Sequence, residues 1–271
     1  MIGFKDAKSS HYVPPSVREQ DMGQKHVADY MFKDVPQADQ DEDAIERTIN
    51  AMDSNGVRIG LVTLMGARAL LAAKTHPDRF LLCSPIDPND VIGSVTKIRK
   101  DHSMHAISAV SFFPAGCDPH VPIDDAKTYP IYATCVELDL PIFINAGVPG
   151  PRVIGESQNV SRFDPVCYDF PDLKIVMRHG AEPDETLAVK LMLKWPNLYY
   201  STSAFAPKHY PKAIIDYANT RGSDKIIYGG YFPFGLELVR IMEEMEGIPF
   251  RDHVWKPFLQ DNAAKLLKVD I

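Results

Sequence analysis

Asp6, Lys8, Asn145, His179 and Tyr231 are the side chains whose types and places could do chemistry together. A carboxylate, an ammonium, an amide, an imidazole and a phenol handle protons well and make a poor cage for a divalent cation. His179 directly follows the apolar run KIVMR and precedes Gly180, and an imidazole suits general acid–base work near neutral pH. Lys8 offers a fixed positive charge to a substrate carboxylate or oxyanion, or a Schiff base if desolvated. Asp6, two residues earlier, points to the same side of an extended backbone and can position Lys8. Asn145 orients substrate, while Tyr231 donates a proton or forms a pocket wall beside Phe232 and Phe234. Arg178 is a candidate carboxylate holder, although strand alternation sets it opposite His179 and favours a structural ion pair. His11 is a further substrate contact, and His26 and His209 could reach the same place. No metal ligands and no cofactor are expected from this set.

These residues need a scaffold that collects strand ends at one face. Eight short apolar runs are candidate strands: Ile2–Phe4, Val57–Leu64, Phe80–Ser84, Ala109–Phe113, Pro141–Asn145, Lys174–Arg178, Leu198–Ser201 and Lys225–Gly229. Helical patterns separate them, at Asp41–Ser54, Ala67–Thr75, Asp90–Lys100, Asp124–Glu137, Glu182–Lys194, Pro207–Asn219, Leu236–Glu246 and Arg251–Leu267. Repeated strand–helix alternation predicts parallel strands with right-handed crossovers, hence an α/β chain folded as a (β/α)8 TIM barrel. The segment after the first strand, KDAKSSH, is no Gly-rich dinucleotide turn, which argues against an open doubly wound sheet. One domain is expected to span residues 1–271, with 11–40 as a long loop on the active-site face. His102 and His105 fall after a helix and before a strand, on the opposite, stability face.

The chain has 271 residues, a formal net charge of −7 and scattered basic residues, which argues against a nucleic-acid partner. Four cysteines, none in a C-x-x-C pair, fit a reducing compartment, with Cys83 read as a core thiol. No apolar stretch approaches a membrane span, and the N-terminal MIGFKDAKSSHY carries no apolar signal core. The expectation is a cytoplasmic protein with a small-molecule substrate and no membrane partner. Apolar residues in the final helices (Phe234, Leu236, Phe250, Trp255) suit a homodimer.

Several blocks, in order, resemble a known family: HPDRFLLCSPIDP (76–88), YPIYATCVELDLPIFINAG (129–147), FPDLKIVMRHG (170–180), WPNLYYSTS (195–203), DKIIYGGYFPF (224–234) and DNAAKLL (261–267). Together they are similar to the amidohydrolase-related barrel enzymes, which include aminocarboxymuconate-semialdehyde and γ-resorcylate decarboxylases. The resemblance places the family's first-strand ligand motif on Phe4, Asp6 and Lys8, its fifth-strand His on Asn145, its sixth-strand His on His179 and its eighth-strand Asp on Tyr231. Only His179 keeps the ligand type. This implies a metal-independent hydrolase acting on a small, oxygen-rich, carboxylated substrate, such as a lactone or an activated carbon–carbon bond. The alternatives are a decarboxylase of the same family, a ligand-binding pseudoenzyme, or a metal enzyme using His11, His26 and His179.

Overall fold

A computed structural model describes residues 30–33, 35 and 43–270. Its centre is a sheet of seven parallel strands that follow one another in chain order: β1 Gly60–Thr63, β2 Phe80–Ile86, β3 Ala109–Phe112, β4 Ile142–Asn145, β5 Ile175–Arg178, β6 Leu198–Ser201 and β7 Ile226–Ile227. Each strand lies where a short apolar run predicts one. The expected first strand, Ile2–Phe4, lies outside the described residues, as do Asp6, Lys8, His11 and His26.

Among the described residues, helices precede, connect and follow these strands: α1 Ala44–Ser54, α2 Gly66–Thr75, α3 Val91–His105, α4 Tyr129–Glu137, α5 Phe163–Asp169, α6 Glu185–Lys194, α7 Lys212–Ala218 and α8 Leu238–Met245, with two more described below. α1 begins where the Asp43 carboxylate accepts the Ile45 backbone N–H, relieving one orphan donor of the first turn. Its Ile45, Ile49 and Met52 recur at helical spacing and join the buried layer between helices and sheet. Parallel strands in sequence order with helices between them form the barrel architecture expected.

Prolines account for three boundary differences. The predicted helix 124–137 starts at Tyr129, after a 3-10 turn at Ala126–Thr128, with Pro130 in its first turn. The predicted helix 207–219 divides into a 3-10 turn, Pro207–His209, and α7, because Pro211 caps the second piece. The predicted helix 251–267 divides into α9 (Asp252–Lys256) and α10 (Asn262–Leu267) around a π-helical turn, Pro257–Asp261. His102 and His105 lie within the last turn of α3 rather than after it.

Alternation along the strands sorts two packed layers. Leu61, Cys83, Ala109, Phe143, Val176 and Ile227 form an inner cluster. Ile142, Ile144, Ile175 and Met177 belong to the outer layer against the helices. Asn145 and Arg178, each two residues beyond an inner member of its strand, therefore face the barrel interior. All four cysteines are free and buried. No helix among the described residues is long and apolar enough to cross a membrane.

Candidate active site at the strand ends

Asn145 and Arg178 are Cα partners in the β4–β5 register, so their inward side chains stand side by side. Asn145 is only 8% exposed. Its Oδ1 and the Nε of Arg178 are buried without a hydrogen-bond partner among the described residues. No carboxylate among the described residues pairs with Arg178.

The expected separation of Arg178 from His179 is corrected. Arg178 Nη2 lies 3.0 Å from His179 Nε2. Alternation fails because the backbone leaves the strand: His179, Gly180 and Ala181 have φ values of +65°, +96° and +60°. Left-handed conformations cost non-glycine residues of order 1–3 kcal/mol each and persist where surrounding structure enforces them. Here the turn brings the imidazole back onto the guanidinium that precedes it.

A guanidinium only donates, so His179 Nε2 accepts, and Nδ1 carries the ring proton. Nδ1–H points at Ser203 Oγ (3.1 Å), which also accepts the His179 backbone N–H (3.3 Å). Burial first, then the Arg178 charge, pulls the His179 pKa well below its ordinary value, so the ring is neutral at neutral pH. Burial also lowers Arg178, but from a value high enough that the guanidinium stays charged. From the sequence Ser203 is a strand-end residue with no role of its own. Its signal was the polar Ser-Thr-Ser run that ends β6.

Tyr231 stands edge-on to His179, with ring centroids 6.2 Å apart. Phe32 stacks on the Tyr231 ring at 5.2 Å, and Phe234 lies at 6.0 Å. Burial raises the Tyr231 pKa, so it remains a phenol. Residues 30–33, part of the expected long loop, thus wall this side of the mouth. The Tyr30 hydroxyl also donates to Gly150 O (2.9 Å), and Arg152 lies over its ring at 4.9 Å. His209 ends its 3-10 turn near Glu182, whose pKa it lowers against the larger effect of burial.

Gly147 holds the β4 and β5 loops together. Val148 N–H donates to Glu182 O (2.8 Å), while Gly147 exchanges bonds with Gln158, giving its N–H to Gln158 O (3.0 Å) and accepting from Gln158 Nε2 (2.8 Å). A Cβ on Gly147 would sit 2.4 Å from Glu182 O, and its φ of +79° suits glycine alone. An interior cavity of about 480 Å³ reaches Arg178, Ser201 and Ser203 from the N-terminal strand ends, but neither Asn145 nor His179 lines it. Arg178 and the Ser203 that anchors His179 thus border this cavity from above.

The chain belongs to the amidohydrolase family, whose model matches residues 15–269. No curated protein matches it. Among solved structures, an uncharacterised TIM-barrel protein from Bordetella bronchiseptica is 22% identical, with a TM-score of 0.78, covering 94% of this chain and 90% of that one. The 5-carboxyvanillate decarboxylase of Novosphingobium aromaticivorans, complexed with manganese and 4-hydroxy-3-methoxy-5-nitrobenzoic acid, is 17% identical at a TM-score of 0.64, covering 83% and 80%. The 2,6-dihydroxybenzoate decarboxylase of Rhizobium is 13% identical at 0.69, covering 98% and 96%. These likenesses share the barrel fold with the present chain.

Manganese in the Novosphingobium structure raises the question of whether this mouth suits a divalent cation. The described residues do not fit one. They contain no group of three His, Cys, Asp or Glu side chains placed to hold a metal. Among the described residues, His179 turns its free lone pair onto a guanidinium, and a fixed positive charge at that distance repels a second cation.

Proposed function

We propose that this amidohydrolase-family chain is a carbon–carbon lyase that decarboxylates a small hydroxylated aromatic acid, and that it does so without a divalent cation. The observation that carries the reading is a half-buried guanidinium, its Nε fully covered, with no carboxylate partner among the described residues, side by side with an orphan amide oxygen and a neutral imidazole. A cation drawn partly out of water gains from a counter-charge, and a substrate carboxylate supplies one. The rings of Tyr231, Phe32 and Phe234 beside His179 suit a planar substrate. The fold shared with two aromatic-acid decarboxylases favours carboxylate loss over the hydrolysis of a lactone or an activated carbon–carbon bond.

In this reading Arg178 holds the carboxylate and Asn145 Oδ1 accepts a substrate hydroxyl. His179 Nε2, released when the guanidinium turns to the carboxylate, takes a hydroxyl proton and delivers it to the ring carbon that bears the carboxylate. The bond to the carboxylate carbon then breaks, its electron pair returns to the ring and carbon dioxide leaves. Solvent restores the hydroxyl proton, so one proton is consumed per anion. Asp6 and Lys8, outside the described residues, keep their proposed roles as a positioning carboxylate and an auxiliary cation, and His11 that of a substrate contact.

The test is incubation of the chain with carboxyl-labelled hydroxybenzoates and, separately, with aromatic lactones, in chelator-treated buffer. Labelled carbon dioxide, released from an ortho-hydroxylated acid and lost in His179→Gln, is expected. Lactone opening without any carbon dioxide release would replace this reading with the hydrolase one.

A further inference from the structure

Arg178 is more than a substrate contact. Its Nη2 engages the single lone pair that His179 has to give (3.0 Å), while Ser203 Oγ fixes the other ring nitrogen at 3.1 Å. The imidazole is thus oriented as a metal-binding histidine would be, with its outer nitrogen anchored and its inner lone pair turned to the mouth. The group at the end of that lone pair is a side chain of the protein. The same guanidinium keeps Nε buried and, among the described residues, unpartnered, beside the similarly unpartnered Oδ1 of an amide that is 8% exposed.

We propose that the Arg178 guanidinium is a resident cation: without substrate it takes the His179 lone pair, so excluding divalent metal from the mouth, and it turns to grip the carboxylate of an aromatic acid when one binds. The carboxylate half of this inference rests on the substrate class proposed above; the metal half does not. The chemistry follows from what a guanidinium can do. It carries a permanent positive charge, so it polarises an oxygen as a metal ion does, and its planar fork matches a carboxylate. It has no coordinated water to activate, which suits carboxylate loss better than hydrolysis.

The experiment uses the full chain with manganese(II) and benzoate as probes. The ring Cε1–H signal of His179, assigned by its loss in His179→Gln, is followed by NMR as manganese is added. Benzoate affinity is measured by calorimetry. In the wild type the His179 signal is expected to survive manganese at equimolar concentration, whereas in Arg178→Ala it broadens. Benzoate affinity is expected to fall roughly tenfold or more in Arg178→Ala, the size of one lost charge-assisted contact. Arg178→Lys keeps a cation and serves if the alanine variant does not fold: manganese stays excluded and benzoate binds more weakly than to the wild type. Broadening of His179 in the wild type overturns the metal half, and unchanged benzoate affinity in either variant overturns the carboxylate half. A chain that grips benzoate through Arg178 yet releases carbon dioxide from no acid sinks the reaction proposed above and leaves this inference standing.

Discussion

Asn145 and Arg178 face each other across the β4–β5 register, and each keeps one buried polar atom unpartnered among the described residues, an acceptor on one and a donor on the other. Asn145→Asp supplies the missing carboxylate from within the protein. The new ion pair occupies the guanidinium and competes with substrate. The expected outcome is a KM raised roughly tenfold or more, with the melting temperature held or increased. Steady-state kinetics on whichever acid is turned over checks this. A lowered KM would mean that Arg178 does not hold the substrate.

His179 is held neutral by burial and by the adjacent positive charge. Its ring should show no titration across the range where an ordinary histidine titrates, around pH 6.5. The folded pKa lies below the unfolded one, so the unfolded chain binds the extra proton first. Stability from this group is therefore complete above the unfolded value and declines as pH falls through the range below it. Histidine NMR between pH 5 and 8 provides the measurement, and an inflection near 6.5 that vanishes in His179→Gln contradicts the geometry.

Gly147 carries a left-handed backbone and lies against the Glu182 main chain. Gly147→Ala therefore combines conformational strain with a steric clash. A loss of order 1–3 kcal/mol is expected from the strain alone. Denaturant unfolding measures it, and kcat should fall as well, because the displaced loop follows the strand that presents Asn145. Unchanged stability would show that the two loops part without cost.

Ala106 ends α3 at φ +48°, in the left-handed position that glycine usually fills, and its side chain is exposed. Ala106→Gly removes the strain and sacrifices no buried surface. A gain of about 1 kcal/mol is expected, or roughly 2–4 °C in melting temperature for a chain of this size. Calorimetry decides, and a lower melting temperature would show that unfolded-state entropy outweighs the relief.

Strand positions were the most legible part of the chain. Leu198–Ser201 reads from the sequence with the bounds the structure gives it, because a short apolar run between Trp-Pro-Asn and Ser-Thr-Ser has few alternatives. Helices were less legible wherever proline interrupts a pattern that periodicity alone carries through, as at Pro211 and Pro257. At the site, His179 and Asn145 follow from strand-end placement. The partnership of Arg178 with His179 does not, since period-two reasoning holds only while the backbone stays extended, and three successive positive φ values end it. Ser203 was hidden for a different reason: its role is to anchor a neighbour's ring, and a serine in a polar run carries no signal of that. Lys8 and Asp6, central to the sequence reading, lie outside the described residues, and the cation that the structure does place at the mouth is Arg178.

The left-handed run at His179, Gly180 and Ala181 bears on how this barrel could be re-engineered or could have diverged. Grafting a relative's histidine alone onto a straight strand end would aim the ring at the helices. The direction of the imidazole is encoded in three consecutive main-chain torsions, so the inheritable unit is the tripeptide with its preceding arginine, and chemistry can move between such scaffolds only when that whole corner travels together.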